Sequence, residues 1–233
     1  MSAAPTAPTP ATPAIAAPAP RRPRLPLDGY LLLRDQVRGT FMFNRTSLAG
    51  HIVGAAVVVL MFADVAPASL LVRWGAAFLA VWLVRLGLAW RFSRNEPGTT
   101  AGLRRRLRLW QVGVLASGAL WGLAAWLLYG YGSALHQIAL ILVVYTFCVA
   151  SVPILAPQYR LFAAFVLLIF VPAVAVVARQ PARLAWELAI VMSVAIAMIM
   201  ILARNFRDQF NGVVTLKLRT EALADQLRAE KIA

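Results

Sequence analysis

Residues 134–155 read ALHQIALILVVYTFCVASVPIL and carry no Asp, Glu, Lys or Arg. About 20 consecutive apolar residues carry a helix across the hydrocarbon core of a bilayer, so this stretch predicts a membrane span. A second run of this kind, 160–178, follows after only four residues. Working outward, 108–129 and 184–203 repeat the pattern on either side, and 46–65 and 72–91 add two more towards the amino terminus. The connections are then about 6, 16, 4, 4 and 5 residues long, too short for a folded domain. The expected fold is all-α: a polytopic membrane protein with six transmembrane helices and a cytoplasmic carboxyl-terminal coiled-coil helix.

Composition agrees. Of 233 residues, 61% are apolar and only 14% charged, with a mean hydropathy of +0.73 and a formal net charge of +14. A soluble domain is nearer to about half apolar and a quarter charged, so an ordinary soluble enzyme is excluded. The basic balance alone would suit a nucleic-acid binder, but such proteins are rich in charge. The expected partner is the lipid bilayer and not nucleic acid. The single cysteine, Cys148, excludes an internal disulfide or a Cys-built zinc site.

The flanks differ from the spans. Residues 1–27 hold 8 of the 14 prolines among Ala and Thr; they cannot bury a core or run as a helix, and a disordered cytoplasmic tail is expected. They lack the apolar h-region of a signal peptide. Residues 28–46 predict an amphipathic helix, with Tyr30, Leu33, Val37 and Phe41 on one stripe and Arg34, Arg38 and Arg45 beside it. It either lies in the headgroup layer or simply leads into the first span.

Positive charge sets the orientation. Nineteen of the 23 Lys and Arg residues fall before the first span, around the second connection, in the fourth connection or after the sixth span. Arg73, Arg179 and Arg183 lie on the other side, and Arg85 inside a span. Because basic residues stay cytoplasmic, both termini are expected inside, in a multi-pass membrane protein with 47–203 as the transmembrane bundle.

From 204 to 233 polar residues dominate, and Val213, Leu216, Thr220, Leu223 and Leu227 recur at spacings of 3 and 4. That is a seam of about two heptads, which predicts pairing of two protomers; the alternative is a solvated helix. The helix is expected to run on from the sixth span through Gly212, and the uncapped end at Ala233 suggests a continuation.

Catalytic chemistry is not expected in these residues. His51 and His136 fall near opposite ends of the spans, too far apart to share a metal, and each reads as an interfacial hydrogen-bonding residue. No phosphate-binding glycine loop or nucleophile elbow occurs, and no acid falls deep in a span, which argues against an ion-coupled carrier. Arg85 has two readings. It could hold an anionic headgroup or, the favoured reading, snorkel the roughly 9 Å to the level of Arg91. Gly118 and Gly122 form a GxxxG pair for close helix packing. Trp126, Tyr129 and Tyr131 suit an aromatic belt; alternatively, Trp121, Trp126, Tyr129, His136 and Gln137 rim a ligand pocket open to the outer leaflet. Pro153, Pro157 and Pro172 predict kinks.

Three segments together carry a resemblance: Leu33-Arg34-Asp35-Gln36-Val37-Arg38 before the first span, Gly118-Ala119-Leu120-Trp121-Gly122 in the third, and 218–227, LRTEALADQL, after the sixth. Over about residues 30–233 the chain resembles the membrane sensor region of bacterial sensor histidine kinases, often of hybrid type; related diguanylate cyclases use similar input regions. The resemblance implies that the last helix leads into a dimerisation helix with the phospho-accepting histidine and then an ATP-binding domain, neither of which lies in these residues. It therefore implies no catalytic residue and no cofactor here, ATP and Mg belonging to the kinase domain, and a response regulator as the downstream partner. The expected function is an input module that senses an apolar or amphiphilic ligand, or the state of the membrane. A diguanylate cyclase input and a small six-helix transporter are the alternatives.

Overall fold

A computed structural model describes residues 44–94, 98–181 and 183–232. The tail over 1–27 and nearly all of the amphipathic segment over 28–46 lie outside the described residues. The elements run in order α1 (Asn44–Phe62), α2 (Ala68–Arg94), α3 (Thr100–Leu128), α4 (Ala134–Leu155), a 3-10 turn (Ala156–Gln158), α5 (Tyr159–Ala178) and α6 (Arg183–Ile232). No strand occurs among the described residues. Each of the six apolar segments thus has its own helix.

Among the described residues, four helical stretches are long and apolar enough to cross a membrane: Ala68–Phe92, Thr100–Leu128, Ala134–Ala178 and Leu184–Phe210. A fifth, Thr46–Phe62, is apolar but shorter. Ala134–Ala178 is divided by the 3-10 turn into α4 and α5, of 22 and 20 residues. Exposed apolar side chains continue along α2, as Val72, Leu79, Leu83 and Val84, and along α6, as Trp186, Ile190, Val191, Val194 and Met198. Faces this large and this apolar are unfavourable in water and match lipid. The described residues thus form an all-helical fold with helices long and apolar enough to cross a membrane.

The helix boundaries have local causes. α1 ends at Phe62, where Ala66 N–H returns to the Phe62 carbonyl at 2.9 Å, and Pro67 then precedes the first residue of α2. α3 begins eight residues before the expected span, because Thr99 caps it by accepting a hydrogen bond from Gly102 N–H at 3.2 Å. Arg104, Arg105 and Arg106 therefore lie on the early turns of α3, continuous with Arg108, and not in a 16-residue loop. At the other end of the bundle, Gly132 has a φ of +79°, a conformation that glycine adopts without steric cost.

α3 is the central helix: 44% of its apolar window is buried, against 22% for α2 and α6. Its tightest neighbour is α5. A Cβ added to Gly118 would lie 2.8 Å from the Phe165 ring, and one at Gly122 would collide with the Leu168 carbonyl oxygen. Pro172 explains the second approach. It has no N–H to donate to the carbonyl four residues earlier, Leu168, and this freed oxygen faces Gly122. Close approach between small residues is how helices associate where lipid tails are as apolar as leucine. The GxxxG pair is thus spent within the chain. Across α2, Trp82 Nε1 donates to the Leu48 carbonyl at 2.8 Å and Trp74 Nε1 to the Leu120 carbonyl at 2.9 Å, tying it to α1 and α3.

α6 continues without interruption for 50 residues, through Gly212. Leu216 on it is exposed, and Thr220 Oγ1 donates back to the Leu216 carbonyl at 3.0 Å. The side chains of Val213, Leu223 and Leu227, the other seam positions, lie outside the described residues.

Candidate functional site

A polar centre lies between the helices where an apolar core would be expected. Arg85, on α2, is only 4% exposed, and its Nη1 donates to Ser117 Oγ on α3 at 2.8 Å. Ser117 Oγ in turn donates to the Gly113 carbonyl one turn earlier, at 3.0 Å. Gly113 itself makes the room: its missing side chain leaves a slot for the stem of Arg85. Arg85 therefore does not snorkel to the level of Arg91. A helical side chain leans towards its own helix's amino terminus, and on α2 that direction leads away from Arg91 and into the bundle.

His51, on α1, is 7% exposed and sits on the other side of this centre. Its Nδ1 lies 2.7 Å from the Ser47 carbonyl. A carbonyl only accepts, so Nδ1 carries a proton and the neutral ring presents the Nε2 lone pair. His51 Nε2 and Arg85 Nε, both buried, have no hydrogen-bond partner. Beside them is a cavity of about 20 Å³, lined by Ser47 and His51 from α1, Arg85 from α2, Trp110 and Val114 from α3, Ser151, Ile154 and Leu155 from α4 and Phe165 from α5. Among the described residues, the ion pair present is Arg207–Asp208 on α6, and no carboxylate reaches Arg85.

An aromatic box closes the centre towards the middle of the bundle. Trp121 stacks on Phe147 with centroids 4.4 Å apart, and Phe78 meets it edge-on at 5.3 Å. The His51 ring lies 5.1 Å from Phe147. Trp121 is fully buried, and its Nε1 is a further donor without a partner. Gly54 on α1 allows this packing, since a Cβ there would collide with Phe147.

The structure does not gather the predicted rim residues with Trp121. Trp126 is five residues on, about 140° around the helix; it is exposed, with the Arg179 guanidinium 4.7 Å above its ring. Tyr129 is buried at the carboxyl-terminal cap of α3. His136 serves the start of α4, where its Nδ1 accepts from Ser133 N–H at 3.2 Å and lies 2.9 Å from Ser133 Oγ. Gln137 is half-buried beside it, its backbone N–H bonded to the Ser133 carbonyl. Arg85 and Trp121 belong to the polar and aromatic centre, while the other four belong to one end of the bundle.

His51 was the residue that sequence reasoning undervalued. The signals were the pairs Ser47/His51 and Gly113/Ser117, each four residues apart and so on one helix face, facing the one charged residue inside a span. Among the described residues, no three His, Cys, Asp or Glu side chains converge as metal ligands would. No protein-family model, no curated protein and no solved structure matches this chain.

Proposed function

We propose that this chain is the membrane-embedded input module of a bacterial signalling protein of the sensor histidine kinase type. In this reading the six helices all cross the inner membrane, with both termini cytoplasmic, and the seam on α6 pairs two protomers. The observation that carries it is α6. Its 50 residues correspond to about 75 Å of helix, yet only Leu184–Phe210 is apolar enough to lie in a membrane. The remainder is a rigid extension joined directly to the bundle, suited to pass a shift or rotation to an output domain.

The stimulus acts within the bilayer, since the connections between helices hold no domain. An apolar or amphiphilic molecule, or the membrane state, would favour one of two arrangements of the bundle by binding them unequally. The coupling route runs from the polar centre through α3 to its close neighbour α5, and from α5 to α6. The buried Arg85 with its adjoining cavity supports a second reading, a small transporter, because an ionisable group inside a membrane marks a solute path in many proteins.

The test is to express the full polypeptide from its gene in membranes and supply labelled ATP. Acid-labile phosphohistidine that changes when four residues are inserted beside Gly212 supports the kinase reading. Cyclic dinucleotide formed from GTP would assign the module to a cyclase instead. Neither activity, together with solute flux in proteoliposomes, would overturn the sensor reading.

A further inference from the structure

Trp82, Leu86, Trp90 and Arg94 follow one another at four-residue spacing on α2, so each stands above the last along one side of the helix. Between this side and α1 runs a lateral furrow of about 390 Å³. Leu48, Ala49 and Ile52 line one wall, and Trp82, Leu86 and Trp90 the other. The walls are tied together where Trp82 Nε1 donates to the Leu48 carbonyl at 2.8 Å. Leu86 and Trp90 are 40% and 58% exposed, so the furrow opens sideways and not into the bundle. Arg94 ends the series. A helical side chain leans back towards the amino terminus of its helix, and the Arg94 guanidinium accordingly lies 4.1 Å from the centroid of the Trp90 ring.

Charge at this end of the furrow has one sign. Residues 91–108 hold six arginines and a single acid, Glu96, which lies outside the described residues. Among the described residues the ion pair present is Arg207–Asp208, so no described carboxylate pairs with Arg94. From Trp82 to Arg94, about 18 Å of helix, the surface therefore passes from apolar to aromatic to cationic.

We propose that this furrow binds an anionic phospholipid of the surrounding bilayer, with an acyl chain laid between α1 and α2 and the phosphate at Arg94. A phospholipid changes character along its length in the same order as the ladder does. A second helix suits the furrow poorly, because helices associate in lipid through small residues that let backbones approach, and here two tryptophans and a leucine form one wall. A flexible chain can follow a surface of that shape. A zwitterionic lipid offers the same chain, but the arginines repel the cation of its headgroup. The proposal takes the bundle to lie in a bilayer and does not depend on what α6 is joined to.

The experiment uses the full chain reconstituted in phosphatidylcholine vesicles. Phosphatidylglycerol or phosphatidylcholine brominated on the acyl chains is added in rising mole fraction, and bromine quenches the tryptophans it touches. Brominated phosphatidylglycerol should quench at lower mole fraction and saturate. Arg94→Gln should reduce that preference about fivefold, the usual effect of one arginine on an anionic lipid. Arg160→Gln, which removes a charge on α5, should leave it unchanged. Ala49→Phe, which fills the furrow and keeps every arginine, should abolish it. Arg94, Arg160 and Ala49 are all exposed, so the substitutions spare the packed core, and circular dichroism checks that each variant folds. Equal quenching of the wild type by the two lipids would overturn the site without any variant. Equal losses in Arg94→Gln and Arg160→Gln would reduce the attraction to diffuse surface charge, and a preference kept in Ala49→Phe would exclude the furrow; either overturns the proposal. Quenching by brominated phosphatidylcholine at high mole fraction shows the bundle to lie in the bilayer. Its absence would overturn the membrane reading along with the site, a failure distinct from loss of lipid preference alone.

Discussion

Gly113 lies against the aliphatic stem of Arg85, so that a Cβ built on the glycine would fall 2.8 Å from Arg85 Cγ and 3.3 Å from Cδ. The absence of one side chain on α3 thus admits a long cationic one from α2. The two positions are 28 residues apart in a chain whose apolar runs give no hint of the pairing.

Gly113→Ala should therefore destabilise the bundle by about 1–3 kcal/mol, the usual cost of overpacking. The same substitution should cost much less in an Arg85→Ala background, because the stem it collides with is gone. Thermal unfolding of the four proteins in one detergent gives the coupling directly. Additive losses would mean that the stem does not occupy the slot.

Ser117 and Arg85 should behave unequally although they share a hydrogen bond. Ser117→Ala strands a buried guanidinium and should cost about 2–3 kcal/mol. Arg85→Met leaves Ser117 bonded to the Gly113 carbonyl and replaces a buried charge with an apolar chain. It should be neutral or stabilising. A loss for Arg85→Met as large as that for Ser117→Ala would count against the geometry.

The two glycines facing α5 should also differ. At Gly118 an added methyl meets first the Phe165 ring, at 2.8 Å, and then the Phe165 carbonyl oxygen, at 3.3 Å, whereas at Gly122 it collides directly with the Leu168 carbonyl oxygen. Gly122→Ala should lower the melting temperature more than Gly118→Ala, and Gly122→Leu should prevent α3 and α5 from packing. Equal effects would show that the approach of the Leu168 carbonyl is not limiting.

Cys148 is fully buried and should resist maleimide until the protein unfolds, leaving a silent background for labelling. On the proposed topology, with both ends of the chain cytoplasmic, a cysteine replacing exposed Gly130 should react with a membrane-impermeant maleimide in spheroplasts. Replacements of Gly98 or Asp208 should react only after permeabilisation. The reverse pattern would invert the orientation.

The helical elements were legible because a long apolar segment leaves a one-dimensional record. Long apolar runs stand out in residue order, and 134–155 coincides with α4 as the structure has it. Pro153 and Pro172 stayed within helices. The start of α3 was not legible, because the Thr99 cap carries the helix through a run of arginines that hydropathy assigns to a loop. The rim of aromatic and polar residues likewise depended on the rotational phase of α3, which hydropathy does not record.

Length, apolarity and the asymmetry of basic charge could be read from residue order alone because they depend on how one segment meets lipid or water. Arg85, His51, Ser117 and Trp121 could not be assembled that way. Their meeting depends on which face each helix turns inward, on a glycine slot at 113 and on a carbonyl freed by Pro172. Lipid tails exert little preference among the apolar faces of a helix, so only the packing of the helices against one another selects the faces that enclose this polar centre.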